Sequence, residues 1–243
     1  MAFAPALHAE WIKIRTLRSQ LGGLSSILLA TVAFSALAAA DSGDDPADAF
    51  DPLSSVYFGV NFGQVAAIAF ATTAVSAEFQ GGALRVSLAA VPDRGRWFAA
   101  KLTAIALPVL AVGLATGLLA LAVGSAALGD DADAIGTGEG LRAAVGCGLY
   151  LTLLALFAAG LTAVLRSGVA TLSILIPFLL IVSFVVGDVS GNAADFLPDR
   201  AGQTVLHSAW EGSLGPWSGL AVTALWTAAA LAAGAWRLRR RDA

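Results

Sequence analysis

The sequence predicts an all-α, polytopic membrane protein with six transmembrane helices and both termini on the cytoplasmic side. Three observations carry that expectation. The 243 residues are 58% hydrophobic and 13% charged, with a mean hydropathy of +0.79, whereas soluble domains carry about 25% charged residues. Six apolar runs are each long enough for the roughly 20 helical residues that a hydrocarbon core demands. Basic residues also concentrate in alternate connections between those runs, as the positive-inside rule requires. Residues 1–243 are expected to form one membrane domain, since single cores still grow at this length.

The runs are Leu21–Ala40, Leu53–Ala77, Leu102–Leu128, Leu141–Leu165, Val169–Gly187 and Pro216–Trp236. Ala, Gly, Leu and Val dominate them, and small residues allow close helix approach in lipid. Pro108 and Pro177 fall inside runs, where membrane helices tolerate a kink. Lys13, Arg15 and Arg18 before the first run, with Ala38-Ala39-Ala40 after it, also fit a signal peptide. A signal core is usually about 7–15 residues, shorter than this run, and five further runs follow. A retained first span is the expectation.

With both termini inside, the inner segments hold twelve basic and four acidic residues, a net +8. The outer segments hold two basic and thirteen acidic residues, a net −11. Trp11, Trp97 and Trp236 fall at inner boundaries and Trp210 and Trp217 near outer ones, the pattern of an aromatic belt. Trp226 sits mid-span.

The connections come next. Residues 1–20 contain a helix over about Pro5 to Gln20, with Leu7, Trp11, Ile14, Leu17 and Leu21 at helical spacing. Glu10 and Arg18 intrude near that stripe. An interfacial helix on the cytoplasmic surface is expected; the alternative is an unstructured basic anchor. DSGDDPADAFDP and GDDADAIGTGEG read as short, acidic outer linkers, without the spacing of a calcium-binding loop. Residues 188–215 form a longer outer loop in which Pro198 is suited to open a short helix. Ala201, Val205, Leu206, Ala209 and Trp210 lie along one side of it, resting at the membrane boundary or dipping into it.

Residues 78–101 form the longest polar interruption on the inner side. Gly81-Gly82 frees the chain to turn, and Ala83 to Val91 can make two turns of helix with Leu84, Leu88 and Val91 on one face. Pro92 stops it. Arg85 projects from another face, and Arg94, Arg96 and Lys101 lead into the third run at headgroup level. Such a helix suits lipid or a groove in a partner.

Catalytic motifs are missing from the sequence. There is no G-x-x-x-x-G-K-[ST] phosphate loop, and neither lysine, Lys13 or Lys101, follows a glycine. His8 and His207 lie on opposite sides of the membrane and cannot share a site. Cys147, the one cysteine, reads as a packing residue. No metal site, bound cofactor or nucleic-acid partner is expected. No ionisable residue lies deep in a span, which argues against an ion-coupled carrier. Asn61 and Gln64 in the second run either line a solute path or make interhelical hydrogen bonds worth about 1 kcal/mol or less.

The inner loop resembles the loop between the second and third spans of bacterial ABC transporter permeases of the type-2 exporter class. The matching residues are Glu78, Phe79, Gly82, Leu84, Arg85, Leu88, Pro92 and Arg94. LHAEWIKIRTLRS, with Glu10, Trp11, Lys13, Arg15 and Arg18, is similar to that family's amphipathic N-terminal helix. AAGAWRLRRRDA resembles its last span and basic tail. Ala83 departs from the pattern, where threonine is frequent. The resemblance implies a multi-pass protein of the bacterial plasma membrane, paired with a second copy or a sister permease. Two cytoplasmic ATPase subunits, which bind ATP and Mg, would dock beneath the pair on the loop helix. The chain would then not be an enzyme itself. It would export a hydrophobic or amphipathic solute such as an antibiotic, lipid or peptide, as in drug resistance. The alternatives are an ATP-independent carrier or channel and a non-transporting immunity or sensor subunit.

Overall fold

The structure, a computed structural model, describes residues 3–41, 51–182, 191–208 and 212–240. It is all-helical, with no strand among the described residues. Five helices are long and apolar enough to cross a membrane: Arg18–Asp41, Pro52–Phe79, Arg94–Ala134, Thr137–Leu165 and Pro216–Arg240. The run Val169–Gly187 is present as a shorter apolar helix, Gly168–Ile181, and its last residues lie outside the described ones.

Helix α1 (Phe3–Thr16) buries Ala6, Glu10 and Ile14. A carboxylate thus sits in the middle of its inward face, while Leu17 and Leu21 of the expected apolar stripe are exposed. The chain breaks at Leu17 and continues as α2 (Arg18–Asp41). The second span is divided into α3 (Pro52–Tyr57) and α4 (Val60–Ser76). Asp51 caps α3 by accepting from the amides of Leu53 and Ser54, with Pro52 in the first turn. The division falls where α4 meets α2. A Cβ on Gly59 would lie 1.9 Å from the Thr31 carbonyl oxygen, and the Ser35 hydroxyl accepts from the Gly59 amide at 3.1 Å.

Gly81 (φ 59°) and Gly82 (φ 76°) are both left-handed, a conformation that glycine adopts without penalty. They turn the chain into α5 (Ala83–Ala90), as the Gly-Gly and Pro92 limits predict. Asp93 then caps α6 (Arg94–Leu128), which runs through Pro108 without interruption. Helix α6 packs on α7 (Thr137–Leu165) through Gly113 and Gly117 against Gly148 and Ala144. Helix α7 is the centre of the bundle, with 67% of its apolar window buried against 28% for α2.

Helix α8 (Gly168–Pro177) is capped by Ser167 and passes at Pro177 into a π-helical turn, Phe178–Val182. The proline lacks the amide that would continue the α ladder. Beyond it, a 3-10 turn (Gly191–Phe196), α9 (Pro198–Gln203) and a second 3-10 turn (Thr204–Leu206) lead towards α10 (Pro216–Arg240).

The segment around α9 dips into the bundle. Ala201, Val205 and Leu206 are buried, and the Thr223 hydroxyl donates to the Pro198 carbonyl at 2.8 Å. Further along, the indole N–H of Trp226 donates to the Phe196 carbonyl at 2.9 Å. Trp226 lies ten residues after Pro216, about 15 Å along the helix. Non-helical backbone at that depth needs a protein partner for its polar groups, which explains a tryptophan mid-span. Ala209 and Trp210 lie outside the described residues.

Asp51 also holds this segment at the start of the second span. Its carboxylate accepts from the Ser208 amide at 3.2 Å and lies 3.1 Å from His207 Nδ1. Burial alone would raise the carboxyl, but the hydrogen bonds of His207 and Ser208 outweigh burial and hold it below its ordinary value. A depressed carboxylate contributes stability that is present above the unfolded value, about 3.9, and lost as pH falls through the folded one. Acidification from pH 5 to pH 3 is therefore expected to lower the protection of the Leu53, Ser54 and Ser208 amides, measured as exchange relative to the intrinsic rate at each pH. Asp51→Asn should show that low protection at every pH in the range.

Candidate coupling site

Three helix ends and α5 meet at the end of the bundle that carries the chain's basic connections. Glu78 lies in a 3-10 turn, Ala77–Phe79, that closes the second span. Its Oε1 accepts from Lys101 Nζ at 2.7 Å and from Lys13 Nζ at 2.8 Å. Glu10 receives the same two ammonium groups, Lys101 at 2.5 Å and Lys13 at 2.8 Å. Glu10, Glu78 and Lys101 are each 4% exposed. Two carboxylates and two ammonium groups thus form one neutral, interleaved cluster that binds α1, the end of α4 and α6. Burial opposes the charge on Lys13, but the hydrogen bonds and fields of Glu10 and Glu78 exceed that penalty and raise its pKa. Its contribution is present below the unfolded value, about 10.4, and is lost only as pH rises through the raised folded value.

The cluster extends to α5. The Ser87 hydroxyl donates to the remaining oxygen of Glu78, Oε2, at 3.0 Å. Leu84 is buried, and Leu88 and Val91 pack against the core. The apolar face of α5 is thus turned towards its own bundle, and the outward face presents Arg85 and Val86, the latter 74% exposed. Phe79 lies under the Arg166 guanidinium, 5.6 Å from the ring centre. Glu78, Phe79, Gly82, Leu84, Arg85 and Arg166 line a groove of about 420 Å³. Pro92 ends α5, and Arg94 donates to the Leu238 carbonyl at 2.7 Å, fastening the last helix to the start of α6. Arg15 and Arg18 stay on the surface, and Trp11 is half-buried.

The structure therefore brings Glu10, Lys13, Glu78, Phe79, Gly82, Leu84 and Arg85 together, and adds Lys101, Ser87 and Arg166. Lys101 carried a signal: the chain has only two lysines against twelve arginines, and both lie in this cluster. An ammonium is a compact charge that two carboxylates can surround, whereas a guanidinium is a planar fork. Trp97 departs from its expected place in an aromatic belt. It is 3% exposed, inside the bundle.

Asn61 and Gln64 fall in a separate polar cluster on the opposite side of the bundle. The Tyr150 hydroxyl donates to Gln64 Oε1 at 2.5 Å, and Gln203 Nε2 donates to Asn61 Oδ1 at 3.1 Å and to Tyr150 Oη at 3.2 Å. Gln64 is fully buried and makes interhelical bonds. Asn61 also lines a cavity of about 200 Å³ with Tyr57, Gln203 and His207. Both residues thus accept hydrogen bonds from other elements, and Asn61 in addition borders this cavity.

No protein-family model and no curated protein sequence matches the chain.

Proposed function

We propose that this chain is the membrane subunit of an ATP-driven exporter of the type-2 class, with six spans, both termini cytoplasmic and residues 169–187 completing the fifth crossing. The observation that supports it best is the connection of α5 to the bundle. A short helix presents Arg85 and Val86 outward, while a hydrogen bond from Ser87 ties it to a carboxylate shared by α1 and α6. Force applied to α5 from below reaches α1 and two membrane helices, α4 and α6, through one side chain, Glu78. The nucleotide chemistry belongs to a separate ATPase that supplies ATP and Mg.

In this reading ATP-driven closure of the ATPases stabilises one of two packings of the spans. The solute is hydrophobic or amphipathic, in keeping with an interior that is mostly apolar. The working unit is a pair of permeases in the bacterial plasma membrane. Arg85→Glu and Val86→Glu change the outward face of α5 and leave its packed face alone. Both are expected to keep the fold and cut ATP-dependent export by at least about tenfold, the scale of losing one charged contact. Export at the wild-type rate in both variants, with no ATPase bound to the wild-type chain, would remove the basis of the reading.

A further inference from the structure

The polar cluster around Gln64 leaves one group unused. The Asn61 side-chain amide donates to the Phe58 carbonyl at 3.0 Å, and a carbonyl oxygen can only accept. That bond fixes Asn61 Oδ1 as the atom facing Gln203, so Gln203 must turn its nitrogen towards the cluster. The nitrogen serves Asn61 Oδ1 and Tyr150 Oη, with Gln64 Oε1 at 3.5 Å. Gln203 Oε1 therefore faces away from these three and accepts no hydrogen bond among the described residues. Gln203 is half-buried in the wall of the 200 Å³ cavity. An acceptor left over in this way takes its donor from whatever fills the cavity.

Tyr57, Val60 and Leu206 give that cavity buried apolar walls, and the Tyr57 hydroxyl is already spent on the Gly117 carbonyl. A neutral donor, a hydroxyl or an amide N–H, can meet the Gln203 carbonyl there without the desolvation cost of an ion. The cavity has the volume of about six waters, less than the roughly 300–1,000 Å³ that a whole drug-sized ligand fills. It also has an extension. Ser54 and Phe58 line both this cavity and an open groove of about 580 Å³, which continues along Phe34, Leu37, Ala38, Asp41 and Ser55. Phe34 stacks on Phe62 at 3.8 Å, and Phe58 meets Phe62 edge-on at 6.1 Å, so three rings form one aromatic surface beside the groove.

We propose that cavity and groove form one binding site for a neutral amphipathic molecule. Its hydroxyl or amide head donates to Gln203 Oε1, and its apolar part lies along Phe34 and Phe58. That this molecule is the exported solute rests on the permease reading above; the site itself does not, and a lipid of the bilayer carries the same chemistry.

The test measures equilibrium binding of radiolabelled monoolein, whose glycerol head carries free hydroxyls, to the full chain in phosphatidylcholine nanodiscs. Methyl oleate has the same chain and no donor. The wild-type chain is expected to bind monoolein about tenfold more tightly than methyl oleate, the scale of one well-made hydrogen bond. Gln203→Met is expected to bind the two alike. Ser54→Leu narrows the passage between groove and cavity. The Ser54 hydroxyl donates only within its own turn, to the Asp51 carbonyl at 2.9 Å, so this variant should keep the wild-type melting temperature and lose about tenfold in monoolein affinity. Equal binding of the two probes by the wild-type chain overturns the site. So does a preference retained in Gln203→Met, or unchanged monoolein binding in Ser54→Leu. Adding the co-purifying ATPase and ATP then separates the sources: released monoolein identifies cargo, retained monoolein a resident lipid, and both uphold the site. Selective binding by a chain that recruits no ATPase upholds the site and overturns the permease reading.

Discussion

Lys101→Ala is expected to destabilise the chain by about 3–5 kcal/mol, because it leaves two buried carboxylates sharing the single ammonium of Lys13. The desolvation of Glu10 and Glu78 is then no longer compensated, and the 40% exposed side chain of Lys13 cannot replace a charge that is fully enclosed. Thermal unfolding in detergent would show it as a large fall in the melting temperature. Lys101→Arg should recover only part of the loss, since a planar fork does not fit a position surrounded by two carboxylates. A triple change, Glu10→Gln, Glu78→Gln and Lys101→Met, separates stability from coupling. Replacing a whole buried ionic group is often neutral or better for stability. The triple variant is therefore expected to regain much of the melting temperature while remaining inactive in export.

Gly117→Val is expected to be nearly as damaging, for a steric reason. A Cβ at Gly117 would lie 2.3 Å from the Ala144 carbonyl oxygen, and the atoms it meets are backbone. Neither helix can yield by turning a side chain, so α6 and α7 must separate where their backbones meet. The same displacement disturbs the Tyr57 hydroxyl, which donates to the Gly117 carbonyl at 3.0 Å. Overpacking of this kind costs about 1–3 kcal/mol and occasionally more; two rigid backbones place this site at the upper end. Gly138→Val is the control, since a Cβ there meets nothing within 4 Å. Melting temperatures of the two variants, compared in one detergent, check the contrast.

The two substitutions show what sequence reading reaches and where it stops. Apolar runs locate the long helices because lipid leaves the backbone few alternatives. Gly81-Gly82 and Pro92 fix the limits of α5 because each acts through its own backbone. Pro198 marks the start of α9 in the same way. The direction in which α5 faces is a different matter. Its apolar stripe fits a partner's groove as well as its own bundle, and only packing places Leu84 inside.

The charge cluster was hidden for a similar reason. Lys13 and Glu78 are 65 positions apart, and Lys101 and Glu10 are 91 apart. Both lysines lie near helix ends, where the positive-inside rule accounts for a lysine without any partner. Glu10 interrupting an otherwise apolar face was the visible irregularity, and a lysine count of two was the other. Trp97 misled because boundary tryptophans and buried ones look alike in a sequence. The division of the second span at Gly59 depends on Thr31 and Ser35 across the interface, which no local pattern reveals.

The central claim is that Glu78 passes the movement of an ATPase to the spans. Its most direct test is ATP turnover by the reconstituted complex, with the wild-type chain and with the Glu78→Gln variant. The account predicts that wild-type permease changes ATPase turnover several-fold, and that Glu78→Gln binds the ATPase yet leaves its turnover at the value of the ATPase alone. Turnover that is the same with wild-type chain, with Glu78→Gln and without any permease would contradict it.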